Sequence, residues 1–63
     1  MGIKDKFKYK GFEFQIDGYR HKGDDLFDWK EIGENESSDG FESLQAAKLD
    51  AKKWADAVKE SMR

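Results

Sequence analysis

The chain has 63 residues and contains no cysteine, no proline and only one histidine, His21. Without cysteine it forms no disulfide, offers no thiolate nucleophile and builds no zinc site of the cysteine type. A single histidine supplies no pair of imidazole ligands, and no nucleophile or orienting group stands close to His21 in a motif for base catalysis. We therefore expect a protein without a metal site, a cofactor or catalytic residues, which is not an enzyme.

Long apolar runs are also missing, because no more than two apolar residues follow one another. No segment is therefore long and apolar enough to span a membrane. The first residues, MGIKDKFKYKGFEF, are charged throughout and lack the apolar stretch of a signal peptide. The sequence predicts a cytoplasmic protein with no membrane partner.

Acidic and basic residues are unevenly distributed, although the formal net charge is only -2. Residues 23–43 carry eight acidic and one basic side chain, whereas residues 1–22 carry six basic and three acidic ones. Such a polarised chain can orient a charged partner over about 8 Å at physiological salt. The alternative interpretation is that the acidic stretch is a solvated loop region.

Aromatic residues are plentiful for a chain of this size, with five Phe, two Trp and two Tyr. A disordered chain rich in charge is usually poor in aromatics, so the composition indicates a folded protein. The length is below that of an average domain, and we expect residues 1–63 to form a single domain.

The segment that follows Ser43 predicts a helix over about residues 44–61. Ser43 is a favourable N-cap, and the segment after it contains neither Gly nor Pro. At about 100° per residue, its apolar side chains fall on one stripe that is suited to packing on a sheet. The stripe comprises Leu44, Ala47, Ala51, Trp54, Ala55, Val58 and Met62.

The first third of the chain alternates between apolar and polar residues, as a half-buried strand does. The alternation changes phase at Lys10-Gly11, between the pairs Phe7/Tyr9 and Phe12/Phe14. A β-bulge there would keep both pairs on one face of a single long strand. A two-residue hairpin there would instead place Tyr9 opposite Phe12 and Phe7 opposite Phe14. Because Lys-Gly is a weaker turn signal than Asn-Gly, the bulged strand is the favoured interpretation.

A second strand is predicted over residues 26–32, and residues 36–41 are either a short third strand or a loop that leads into the helix. The predicted fold class is therefore α+β, with a two- or three-stranded antiparallel sheet packed against one C-terminal helix. The predicted core comprises Phe7, Tyr9, Phe12, Phe14, Phe27, Trp29, Phe41, Leu44, Ala47, Ala51, Trp54, Ala55 and Val58.

Three features of the sequence stand out, namely residues 9–14 (YKGFEF), Trp29 and residues 40–47 (GFESLQAA). Together they resemble the motifs of small phage and prophage proteins of uncharacterised function. The start of the helix is also similar to that of the arm-type N-terminal DNA-binding domain of tyrosine recombinases. The resemblance covers most of the chain, and its likeness to the arm domains implies strands packed on a C-terminal helix, with the exposed sheet face in the DNA major groove. Its motifs carry no catalytic residue over to this chain.

A first set of candidate binding residues is cationic and suited to nucleic-acid phosphates. It comprises Lys6, Lys8, Lys10, Arg20 and Lys22. Lys4, Lys6, Lys8 and Lys10 are expected to lie on one side of the first strand, as in proteins that read DNA with a β-ribbon. The alternative is that they protect a solvated edge strand from aggregation. The acidic residues of the second strand and its flanks would repel phosphate.

A second set of candidates, suited to a protein partner, comprises Tyr19, Leu49 and Lys53. Leu49 falls almost opposite the apolar stripe of the helix, with Lys53 beside it, and Tyr19 is the aromatic residue best placed to face outward. We therefore expect a noncatalytic binding or accessory module that acts on a protein partner or by self-association. The alternative is a nucleic-acid-binding domain that uses the lysine-bearing face of the sheet.

Overall fold

In a computed structural model, which describes residues 2–61, the chain forms one sheet and one helix. The elements are β1 (Gly2–Tyr9), β2 (Phe12–His21), β3 (Asp24–Glu31), β4 (Glu36–Phe41) and α1 (Leu44–Ser61). The sheet is antiparallel in the order β1-β2-β3-β4, and α1 packs across one face. The predicted α+β class and C-terminal helix are confirmed, but the sheet has four strands instead of two or three. Met62 lies outside the described residues.

Lys10 and Gly11 form a hairpin turn between β1 and β2, so the favoured prediction of a bulged strand is wrong. Their φ angles are 51° and 85°, and a type I′ turn requires positive φ at both positions. Tyr9 pairs with Phe12 and Phe7 with Phe14, as the alternative prediction has it. An ion pair with the helix also stabilises the turn, since Lys10 Nζ lies 2.6 Å from Asp56 Oδ1.

Residues 36–41 form a strand, which decides between the two alternatives that the sequence left open. β4 pairs with β3, but its register shifts between the pairs Phe27/Phe41 and Trp29/Ser38. Two residues of β4 thus face one of β3, as in a β-bulge. The second of them is Gly40, whose φ of +88° suits glycine and is strained for other residues.

The core lies between the sheet and the helix and is built mainly from aromatic rings and alanines. Phe14 is 1% exposed and contacts Trp29 and Trp54 edge-on, with ring centroids 5.6 and 5.9 Å apart. Every predicted core residue is buried or partly buried. The prediction omitted Ile16, which is fully buried between Asp5 and Trp29 in the sheet register.

The helix approaches the sheet closely because its contact stripe has alanine at three positions, Ala47, Ala51 and Ala55, all fully buried. Ser43 caps it as predicted, since its Oγ accepts a hydrogen bond from the N–H of Ala46 at 3.1 Å. A long-range hydrogen bond fixes its position, with Trp29 Nε1 donating to Asp50 Oδ2 at 2.9 Å. Together, the cap and this bond set where the helix begins and how it is rotated on the sheet.

Glu31 is a buried carboxylate that the sequence did not single out. It ends β3 on the helix side of the sheet and is 2% exposed. Its Oε2 accepts a hydrogen bond from the N–H of Glu13 at 3.0 Å, and its Oε1 accepts one from the N–H of Glu34. The side chain thus satisfies one main-chain group of β2 and one of the turn between β3 and β4, which is a structural role.

Candidate binding surface

No element of residues 2–61 covers the face of the sheet that points away from the helix, and we call it the open face. Phe27 and Trp29 point toward α1, so the alternate residues Leu26, Asp28 and Lys30 of β3 point away from it. Ile32 extends this series, because its N–H still donates to the carbonyl oxygen of Glu13 and its side chain is 50% exposed. The open face therefore runs along the whole length of β3.

Charged residues form two neighbouring rows across the open face. In the acidic row, Asp17 of β2 pairs with Asp28 of β3, and Asp39 of β4 lies near enough to act on the charge of Asp28. In the basic row, Lys6 of β1 and Lys30 of β3 flank Gln15 of β2, with which both pair. The rows are two residues apart along the strands, which is about 7 Å. Opposite charges thus lie side by side on one face of the sheet.

The two central carboxylates of the acidic row are poorly solvated. Among residues 2–61, Oδ1 of Asp17 and Oδ1 of Asp28 are buried without a hydrogen-bond partner. Burial raises the pKa of Asp28 above its ordinary value, and the nearby charges of Asp17 and Asp39 raise that pKa further. The row therefore holds negative charge at a cost in free energy that a cation would lower.

Tyr19 lies on the open face beside the acidic row and has a structural hydrogen bond. Its hydroxyl oxygen accepts a hydrogen bond from the N–H of Gly40 at 3.0 Å. Because β3 lies between β2 and β4 in the sheet, this bond ties the bulge of β4 to β2 across the intervening strand. Tyr19 is thus half-buried instead of projecting freely toward a partner.

A groove of about 350 Å³ lies near the turn that joins β2 and β3. Its lining includes Phe27, Arg20 and Asp25, and the aliphatic part of Lys4, whose Cε is 2.8 Å from where a Cβ of Gly18 would stand. Arg20 Nε pairs with Asp25 Oδ1 at 3.2 Å. Within the part of the chain that the structure describes, no group of His, Cys, Asp and Glu could hold a metal ion.

No family model, curated protein or solved structure matches this chain. Its resemblance to phage proteins and recombinase arm domains therefore stays a prediction. None of the helices formed by residues 2–61 is long and apolar enough to cross a membrane.

The structure does not bring the five cationic candidates together. Lys6 and Lys8 lie on the open face, but Lys10 is in the first turn and pairs with the helix. Arg20 pairs with Asp25 on the helix side of the sheet, and Lys22 lies in the turn between β2 and β3. The expected row of four lysines on one side of β1 is wrong. Besides the turn at Lys10, a bulge between Ile3 and Asp5 turns the intervening lysine toward Gly18.

The three candidates for a protein partner are also divided between two sides of the molecule. Leu49 is 57% exposed and Lys53 is exposed one turn later, both away from the contact stripe of α1. Tyr19 lies on the opposite side, on the open face. Sequence reasoning missed Asp17, Asp28 and Lys30, since only the register of the strands places their charges in rows.

Proposed function

We propose that this protein is a small noncatalytic binding module that engages a protein partner through the open face of its sheet. The observation that supports this function is the juxtaposition of the acidic and basic rows on a surface that no element of residues 2–61 covers. Rows of opposite charge favour a partner with a matching pattern and reject others. The half-buried Leu26 and the half-exposed Ile32 add apolar area, one at each end of the open face.

The second candidate function is nucleic-acid binding by the same face. Lys6, Lys8 and Lys30 support it, because all three point away from the helix and could contact phosphates. The acidic row weighs against it, since Asp17 and Asp28 lie only two residues from the basic row along their strands and would repel the phosphate backbone. Lysine also lacks the forked geometry with which arginine reads guanine.

The decisive experiment is capture of partners from a lysate of the native host, with and without nuclease. We compare the wild-type protein with Lys30→Glu on the open face and with Lys53→Glu on the helix, which makes the same charge change on the other side. We expect capture to survive nuclease and Lys53→Glu, and to be lost with Lys30→Glu. Capture that depends on Lys53 and not on Lys30 contradicts the proposal.

An NMR titration with duplex DNA at low salt distinguishes nucleic-acid binding from binding of a protein partner. A nucleic-acid-binding face would shift the amide signals of Lys6, Lys8 and Lys30, with an affinity that falls steeply as salt rises. Loss of capture after nuclease treatment would agree with such shifts. Unchanged spectra at low salt would remove this alternative.

A further inference from the structure

The outward-facing residues of β3 form a pattern that is complementary to itself. In order along the strand they are Leu26, Asp28, Lys30 and, directly after the strand, Ile32. The pattern is apolar, acidic, basic, apolar. Read backwards, it places a base against the acid and an apolar residue against each apolar residue. A second copy of the same strand in the antiparallel direction is therefore its complement.

A two-fold axis that is parallel to the sheet and perpendicular to its strands produces this arrangement. With the axis between Asp28 and Lys30, each open face covers the other, and each β3 runs antiparallel to its copy. Contacts related by a two-fold axis occur twice, so a single favourable pair is doubled. Two sheets that stack face to face lie about 10 Å apart, which side chains of this size fill.

We propose that the protein forms a two-fold symmetric dimer through its open faces, in which Lys30 pairs with the partner's Asp28 and Ile32 packs on the partner's Leu26. The proposal rests on the function proposed above, whose partner it names as a second copy of this chain. The same axis places Gln15 of β2 against the partner's Asp17, where the side-chain amide can donate to the carboxylate.

Three features of the monomer agree with a second copy of the chain as the partner of the open face. Among residues 2–61, Asp28 lies opposite the acidic Asp17 and has no cationic partner, and Lys30 has no ion pair. Ile32 is 50% exposed at the end of the open face. In the dimer each of these groups gains the kind of neighbour it lacks in the monomer.

The physical character of this interface predicts a strong salt dependence. Salt screens exposed ion pairs and so weakens their contribution to the dimer, whereas it does not weaken the apolar contact of Ile32. We therefore expect a dimer at low salt in sedimentation velocity, and a dissociation constant about tenfold or more higher at about 1 M salt, where the Debye length is about 3 Å. A protein that sediments as a monomer at every concentration and salt level overturns the dimer.

A charge-swap experiment tests the pairing itself. Lys30→Glu and Asp28→Lys should each raise the dissociation constant about tenfold or more, because each places like charges opposite one another at both symmetry-related contacts. An equimolar mixture of the two variants should form a heterodimer, since glutamate then faces lysine. Lys53→Glu and Glu60→Lys, which change exposed helix residues by the same charges, should leave the dimer intact.

A second variant guards against the possibility that Asp28→Lys unfolds the protein, which circular dichroism would reveal. Ile32→Asp changes a half-exposed residue and should leave the fold intact while it abolishes the dimer. Single variants that dimerise like the wild type, or a mixture that stays monomeric although both variants are folded, contradict the pairing. If the protein is a monomer but still captures another protein through Lys30, the dimer is contradicted and the proposed function stands. If it neither dimerises nor captures a protein through Lys30, the dimer and the proposed function are both contradicted.

Discussion

Asp17 and Asp28 lie directly opposite each other on β2 and β3, and both have a carboxylate oxygen that is buried without a hydrogen-bond partner within residues 2–61. Like charges at directly opposed positions of an antiparallel pair are destabilising. Burial increases the cost because the charged form is separated from water. The monomer thus carries a local weakness at the centre of the surface to which we assign binding.

Replacing Asp28 by Asn should stabilise the monomer by about 0.5 to 1 kcal/mol at neutral pH, because it removes one of two opposed charges. Chemical denaturation at a low protein concentration, where self-association is negligible, measures the free energy of unfolding. Asp24→Asn is the matched control, since Asp24 is an exposed residue at the far end of the same strand. An Asp28→Asn variant less stable than the wild type would show that the carboxylate contributes favourable contacts.

The gain from Asp28→Asn should depend on pH in a defined direction. The folded protein holds the Asp28 proton more tightly than the unfolded chain, because the pKa of Asp28 is raised from its ordinary value of 3.8. Ionisation of Asp28 therefore costs stability at neutral pH, and the cost disappears as the pH falls through the raised pKa toward 3.8. The difference between variant and wild type should shrink over that window. A difference that is constant from neutral pH to pH 3.8 contradicts the assignment.

Glu31→Ala should destabilise the fold by about 2 to 3 kcal/mol, because it leaves two main-chain N–H groups without their acceptor. Glu31→Gln keeps the volume and one good acceptor, so we expect a smaller loss of about 1 kcal/mol. Hydrogen exchange should accelerate at the amides of Glu13 and Glu34, which donate to this carboxylate. Glu36→Ala is the control, because Glu36 pairs with Glu31 in the register but is exposed. Equal effects of Glu31→Ala and Glu36→Ala would refute the role of the buried carboxylate.

Tyr19→Phe should lower the stability by about 1 kcal/mol, the usual net contribution of one hydrogen bond. The amide of Gly40 loses its acceptor in this variant and should exchange faster with solvent. Tyr9→Phe provides a matched control, since it removes the hydroxyl that donates to Asp56 at 3.1 Å and leaves Gly40 untouched. If the amide of Gly40 exchanges at the same rate in both variants, the hydrogen bond between Gly40 and Tyr19 does not contribute to stability.

Asp56→Asn should lower the melting temperature by a few degrees at neutral pH, because Asp56 accepts from Tyr9 and pairs with Lys10. The hydrogen bond from Lys10 holds the pKa of Asp56 below its ordinary value of 3.8, and the bond from Tyr9 lowers that pKa further. The stabilising contribution is therefore present above this ordinary value and is lost as the pH falls through the lowered pKa. Melting curves of variant and wild type should converge in acid. Curves that stay equally far apart below pH 3.8 would speak against this pairing.

The helix and most of the core were predictable because their signals are local. Ser43 is a cap, three alanines and Trp54 repeat at helical spacing, and Phe14 and Trp29 stand in alternating segments. The sequence favours a bulge over the hairpin at Lys10-Gly11 because Lys-Gly is a weak turn signal by itself. Its positive φ angles are supported by an ion pair with Asp56, which lies 46 positions further along the chain.

The residues that form the candidate binding surface were harder to predict from the sequence than the helix or the core. Tyr19 and Leu49 both face away from the core, yet they lie on opposite sides of the molecule. The roles of Asp17 and Asp28 depend on a register that places two strands side by side. A one-residue slip of that register would move either carboxylate to the other face of the sheet.

The class of the fold, the position of the helix and nearly all of the core can be derived from the sequence alone, because burial of apolar side chains follows the period of each element. Which charges are neighbours, by contrast, depends on how the strands pair in the folded protein. Lys30 and Asp28 stand two positions apart on one strand. Each belongs to a charged row only because the sheet places Gln15 beside Lys30 and Asp17 beside Asp28. Charge acts through space over several ångströms, whereas sequence spacing describes only distances along the chain.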